Sequence, residues 1–405
     1  MNYLTKSKFK LATECPAKLF YTDKSEYINN KIDNPFLEAL ADGGYQVGEL
    51  AKYYYPNGHH VYALDYDEAL EQTNKLLEQD EVTIYEAAVK HNNLFIRVDI
   101  LIKRGLFIKI IEVKAKSIDN KLKSFLTKKE DKVLAKWEPY LFDVAFQRYV
   151  ARSAFPDLTV TSYLLLTDKT ATTPTEGLNQ KFQITVDDKK RKGVSVSSSL
   201  SEEDLSVKLM RQIPVDVECD LICNTKVGND RRGVNFIGQI KEYSKSYSND
   251  IKIRPILKKE CRDCEFHASQ KDLDSGFRSG FHECWKEQLN WTDKDFEKPN
   301  VLDIWDCREK DKLIQDGKIK FSQFYEEDIN PSFEVGDGKL CRKERQWLQI
   351  EKVRSNDTSA WIDKSGLKAE MDSWVYPLHF IDFETTAMAI PFNKGRRPYE
   401  GIAFQ

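Results

Sequence analysis

Polar and apolar positions change period several times along the chain, and each change marks an element. Val82–Lys90, Arg97–Lys103, Ile108–Ala115 and Leu158–Leu166 are short apolar runs rich in β-branched residues, and they predict strands. Asn92-Asn93 and Arg104-Gly105 are polar breaks short enough for hairpin turns between the first three. Ile108, Ile110, Ile111 and Val113 make the third run apolar on both faces, as expected of a strand in the middle of a sheet. Spacings of three and four predict helices over Phe36–Tyr55, Leu64–Gln79, Asp143–Phe155 and Arg342–Val353. Further helical patterns cover Asp204–Ile213, Val301–Lys320 and Ser7–Asp23, the last capped by Ser7 and interrupted at Cys15-Pro16. Asp187–Ser199 reads as a polar surface loop. Strands interspersed with helices predict the α/β class.

Three charged side chains interrupt the central hairpin. Asp99 lies in its first strand, Glu112 and Lys114 in its second. Alternate residues share a face, so Glu112 and Lys114 project to one side, and Asp99 reaches that side from the neighbouring strand. A solvent-facing salt bridge on an edge hairpin is the plain alternative. A central strand argues against it, because a buried carboxylate is costly unless it is paired or ligates a metal. Two carboxylates able to hold a hard divalent cation, beside a lysine that orients or activates water, make a phosphodiester-hydrolysis site. Glu86 interrupts the apolar run before the hairpin and is a candidate for a further metal carboxylate.

Composition narrows the classes. With 405 residues, 31% charged and 40% apolar, the chain predicts two or three globular domains. A net charge of −3 excludes a globally basic character, so contact with nucleic acid would use local patches. Ser117–Lys136 offers one, with Lys121, Lys123, Lys128, Lys129, Lys132 and Lys136. It reads either as a solvated helix or loop, or as a loop that touches phosphates. No run approaches the length of a membrane span, and the segment MNYLTKSKFKLATECP lacks the apolar core of a signal peptide, so a cytoplasmic protein is expected. In that compartment eight cysteines point to metal or catalysis more than to disulfides. Cys261 and Cys264 have the spacing that brings two thiolates to one metal, and Cys284 follows a loop that Gly276 and Gly280 allow to fold back.

Asp, a turn, then Glu-x-Lys on the next strand resembles the core of the PD-(D/E)XK nucleases, and the version here resembles their RecB-like branch. That branch carries Gln and an aromatic on the following helix, matched by Gln147 and Tyr149, with Asp143 one turn before the Gln. It often has Gly-x-x-x-His-Glu on an earlier helix. Here Gly44 and Glu49 match and Gly48 stands in place of the His, which makes Glu49 another candidate metal ligand. The early Cys-Pro at Cys15, with three late cysteines, is similar to AddB nuclease domains and CRISPR-associated RecB-like exonucleases. The resemblance implies a 4Fe-4S cluster on Cys15, Cys261, Cys264 and Cys284. A structural Zn²⁺, with His267 or His282 replacing a Cys, is the alternative. The apolar run from Tyr376 to Thr386, with Asp382 and Glu384 on one face, resembles the first motif of DnaQ-like exonucleases without the later Asp motifs.

The resemblance implies a restriction-endonuclease-like fold: a mixed central sheet flanked by helices, its two ends joined by the cysteine cluster, plus a partial α/β segment at the C-terminal side. The implied domains are 1–290 for the nuclease, 291–375 for a mostly helical linker and 376–405 for the first strand of a truncated DnaQ-like domain. The implied activity is a deoxyribonuclease acting on single strands or duplex ends, dependent on Mg²⁺ or Mn²⁺ held by Asp99 and Glu112 with Glu49 or Glu86. Lys114 would activate water, with Gln147 and Tyr149 in support. Repair or anti-phage defence, beside a helicase or defence-system subunit, is the implied setting. A non-catalytic DNA-binding or scaffold subunit that keeps the fold is the alternative.

Overall fold

The computed structural model describes residues 2–32, 34–188, 191–224, 233–332 and 340–404. They pack as two units that are not consecutive in sequence. The first comprises Met1–Phe20, Asp33–Ile253 and Phe383–Gln405, the second Tyr21–Ile32 and Arg254–Asp382.

The first unit holds a mixed seven-stranded sheet flanked by helices. In chain order it runs β1 (Leu4–Thr5), α1 (Lys6–Glu14), α2 (Lys18–Tyr21, whose last residue belongs to the second unit), α3 (Pro35–Tyr53), β2 (His59–His60) and α4 (Tyr66–Leu77). There follow β3 (Glu81–His91), β4 (Leu94–Arg104), β5 (Phe107–Ile118), α5 (Glu138–Ala154) and β6 (Thr159–Asp168). The hairpin β7 (Phe182–Val186) and β8 (Lys192–Val196), then β9 (Met210–Pro214), α6 (Asp216–Asn224) and α7 (Phe236–Ser248) complete the main part. The strand order is β2-β3-β4-β5-β6-β9, with β1 added beside β4. β5 is central, as its two-sided apolar pattern predicted. Ile108 and Ile110 point into a cluster with Phe9, Val144, Phe146 and Phe236, and Ile111 into the opposite cluster with Val47, Leu50 and Leu165.

One feature of the ladder sets up the site. β4 and β5 pair antiparallel from Arg104↔Phe107 to Ile100↔Ile111 and then separate. Into the fork comes β1, which pairs parallel with the start of β4 at Leu4↔Leu94 and Thr5↔Phe95. α1 begins at the next residue, Lys6, with Thr5 as cap.

Several expected elements differ. Thr5, not Ser7, caps the first helix, which ends at Glu14 where Cys15 turns extended. Lys192–Val196 of the expected polar loop is a strand. The expected helix over Asp204–Ile213 gives way to β9, which pairs antiparallel with the edge of β6. Ser117–Lys136 forms no helix and buries Phe125.

The second unit is helical: α8 (Gln270–Asp274), α9 (Gly280–Leu289), α10 (Lys310–Gln315), α11 (Glu326–Ile329), α12 (Arg342–Arg354) and α13 (Lys364–Asp372). Trp285, Phe266, Phe281 and Trp291 form its aromatic centre. The Val301–Lys320 helix shrinks to a short turn and α10. Tyr376–Glu384 is not a strand. Only β10 (Thr385–Thr386) pairs, with β11 (Ile402–Ala403). An apolar run becomes a strand only where it meets a partner ladder, and here two residues meet one.

Candidate active site

The fork between β4 and β5 leaves backbone groups unpaired, and Asp99 stands there. Its Oδ2 accepts the Val113 N–H at 2.7 Å, so the carboxylate continues the ladder where a backbone carbonyl would have been. On its other side, β3 and β4 pair at Tyr85↔Ile100 and Ala87↔Val98, which puts Glu86 across from Asp99. Glu86 adopts φ 56°, a left-handed conformation that a strand residue rarely takes. The strands thus align Glu86, Asp99 and Glu112 across the sheet.

Glu112 shares the face of Ile108 and Ile110, over which α5 packs. Its side chain is 2% exposed and fully paired. Oε1 accepts from Lys114 Nζ at 2.7 Å and Lys6 Nζ at 2.6 Å, and Oε2 from Gln147 Nε2 at 2.5 Å. Lys114 reaches on to Asp143 Oδ2 at 2.8 Å. Asp143 and Gln147, one turn apart on α5, therefore meet the strand face through Lys114 and Glu112 respectively. Lys6 Nζ also lies 4.0 Å from Asp99 Oδ1, so the two carboxylates flank one ammonium.

Electrostatics separate the carboxyl groups. Burial pushes Asp99 up to about 7, and the charges of Glu112 and Glu86 add to this against Lys6 and Lys114. Burial would also raise Glu112, but the Lys114 and Lys6 ammoniums outweigh it and hold this carboxyl well below its usual range. Burial works against the charge on Lys114, yet Glu112 and Asp143 hold its ammonium well above the ordinary lysine range. Glu86 is raised, mainly by burial, although Lys52, Lys6 and Arg97 oppose the shift. A carboxyl raised by burial beside one held down by two ammoniums marks negative charge that is compensated on Glu112 and less so on Asp99.

The residues expected from sequence divide cleanly. Asp99, Glu112, Lys114 and Gln147 converge, with Glu86 adjacent. Glu49 pairs with Lys52 at 2.7 Å on α3, and the charge of that same Lys52 acts on Glu86. Tyr149 packs against the apolar core, near Cys223. Cys15 belongs to the first unit and Cys261, Cys264 and Cys284 to the second, where the Tyr21 hydroxyl lies 3.3 Å from Cys284 Sγ. Among the described residues, no three His, Cys, Asp or Glu side chains are arranged to hold a metal ion. The donors at the fork are thus two carboxylates, which suits a cation that keeps several waters, such as Mg²⁺. Lys6 was not anticipated, and no local pattern marks it. No family model matches the chain, and no curated protein matches it.

Proposed function

We propose that the fork is the active site of a metal-dependent nuclease of restriction-endonuclease-like fold, cutting DNA by phosphodiester hydrolysis. The observation that carries this reading is the convergence of Asp99 on β4 with Glu112 and Lys114 on β5, on one face of the sheet. Asp99 and Glu112 would hold Mg²⁺ or Mn²⁺, with Glu86 beside them to hold water or a second contact. The ion, when bound, supplies charge to the scissile phosphate and makes bound water more acidic. Asp143 keeps Lys114 charged and aimed at Glu112, where its ammonium orients water and steadies the negative charge that develops in the transition state. Gln147 fixes the second Glu112 oxygen and so the orientation of the ligand. Lys116, two residues beyond Lys114 on the same strand and set over Trp137 and Tyr140, directly precedes the lysine-rich segment Ser117–Lys136 that would follow the DNA backbone. Cys15, Cys261, Cys264 and Cys284 stand, within the same reading, as ligands of a 4Fe-4S cluster or of zinc.

The test is cleavage of single-stranded, duplex and flapped DNA with Mg²⁺ and with Mn²⁺. Lys114→Ala and Asp99→Ala are expected to lower the rate at least about a hundredfold while circular dichroism stays unchanged. Wild-type rates in either variant would remove the assignment, and an inert wild type that binds DNA would leave a scaffold.

A further inference from the structure

Glu112 Oε1 accepts from both Lys6 and Lys114, while Oε2 accepts from Gln147 alone. A cation that shares Oε1 with Asp99 therefore displaces one of the two ammoniums, and Gln147 keeps its place. Gln147 is 1% exposed in the middle of α5 and cannot leave without unpacking that helix. Lys114 is anchored on its far side by Asp143 at 2.8 Å. Lys6 differs. Its ion-pair partners are the two carboxylates themselves, at 2.6 Å from Glu112 and 4.0 Å from Asp99. A quarter of its side chain is exposed, and it enters on a flexible stem from the first residue of α1, directly after β1. Its placement is fixed by chain path: β1 fills the fork, and the next residue faces the carboxylates.

We infer that Lys6 is a tethered ammonium standing where the divalent cation would sit between Asp99 and Glu112, and that it yields this place when the cation binds. The inference rests on the metal-dependent reading of those two carboxylates. In the absence of the ion, Lys6 lowers the repulsion between two close carboxylates. On loading, two positive charges replace one, and the lysine stem turns toward solvent, with α1 as its tether. The apparent affinity of the site for the ion is then the intrinsic affinity reduced by the competition of Lys6.

The test uses the full chain and Mn²⁺ alone, titrated by the loss of the free-ion electron paramagnetic resonance signal. Lys6→Met and Lys6→Gln are expected to bind Mn²⁺ at least tenfold more tightly than wild type, and Lys6→Arg to stay near wild type. A second measurement on the wild type separates displacement from a general effect of charge. Amine acetylation at Lys6, read by mass spectrometry, is expected to rise severalfold at saturating Mn²⁺. Equal affinity in the neutral variants, or Lys6 labelling that Mn²⁺ leaves unchanged, overturns this inference and spares the nuclease reading. Failure of wild type and folded variants alike to bind Mn²⁺ overturns both.

Discussion

Asp99 and Glu112 face one another across two strands yet ionise at opposite ends of the carboxyl range, and the neighbours explain why. Glu112 has two ammoniums and an amide; Asp99 has a backbone N–H at 2.7 Å and a lysine no nearer than 4.0 Å. A carboxyl whose folded pKa is raised from 3.8 to about 7 binds its proton more tightly in the folded chain than in the unfolded one. Folding therefore loses stability as pH rises between those values, and the penalty stays constant above pH 7. Asp99→Asn removes the charge and keeps an oxygen for Val113. In metal-free protein it is expected to raise stability at pH 8 by roughly 1–3 kcal/mol, with the gain shrinking as pH falls to 5. Urea unfolding at the two pH values measures it. A variant no more stable than wild type at pH 8 would mean that Asp99 is not under-compensated.

At the scale of elements, the hairpin was legible because its pattern carries two messages at once. Ile108, Ile110, Ile111 and Val113 announce a buried strand, and Glu112 and Lys114 contradict burial on one face. Pairing resolves the conflict, since the buried Glu112 carboxylate meets Lys6, Lys114 and Gln147. The helical spacing read over Asp204–Ile213 fails because its last residues, from Met210, pair with the edge of β6 as a strand, and the residues before them form turns. Lys6 could not be read at all, since its position beside Glu112 follows from the pairing of Leu4 with Leu94, ninety positions away. Nor does sequence reveal that Glu86 sits at φ 56° inside a strand. That conformation costs about 1 kcal/mol for a residue with a Cβ and little for glycine. Glu86→Gly is therefore expected to leave stability equal or raise it by about 1 kcal/mol, whereas Glu86→Val, β-branched, should lose more than that. Thermal unfolding of the two variants checks the pair, and the reverse order would show that Glu86 carries no backbone strain.

At the scale of the whole molecule, the first unit is closed by a segment far from it in sequence. Residues 388–400 lie against the loop before β7. Gly177 N–H donates to Phe392 O at 2.6 Å and Asn179 N–H to Pro391 O at 3.2 Å. Thr173 exchanges two backbone bonds with this segment, as donor to Arg396 O and acceptor from Gly395. Ala389 and Ile390 are buried in the cluster that holds Ile100 and Ile111, the last paired residues before the fork. Beyond the fork, β5 leaves its β6 register between Lys114 and Ser117, and there the Tyr399 hydroxyl donates to Ala115 O. The same segment therefore braces the strand that carries Glu112 and Lys114 on the side opposite α5. Burying one isoleucine contributes about 1.5–3 kcal/mol and each net hydrogen bond about 1 kcal/mol. A chain ending at Asp382 is expected to lose at least about 3 kcal/mol in urea unfolding of the first unit. Its DNA cleavage, if the site is a nuclease, should fall even where the unit remains folded. Tyr399→Phe separates the two effects: it keeps the apolar contacts and removes only the bond to Ala115. It should cost about 1 kcal/mol in stability but reproduce much of the loss in cleavage. If it cleaves as wild type does, the segment stabilises the sheet without positioning Lys114.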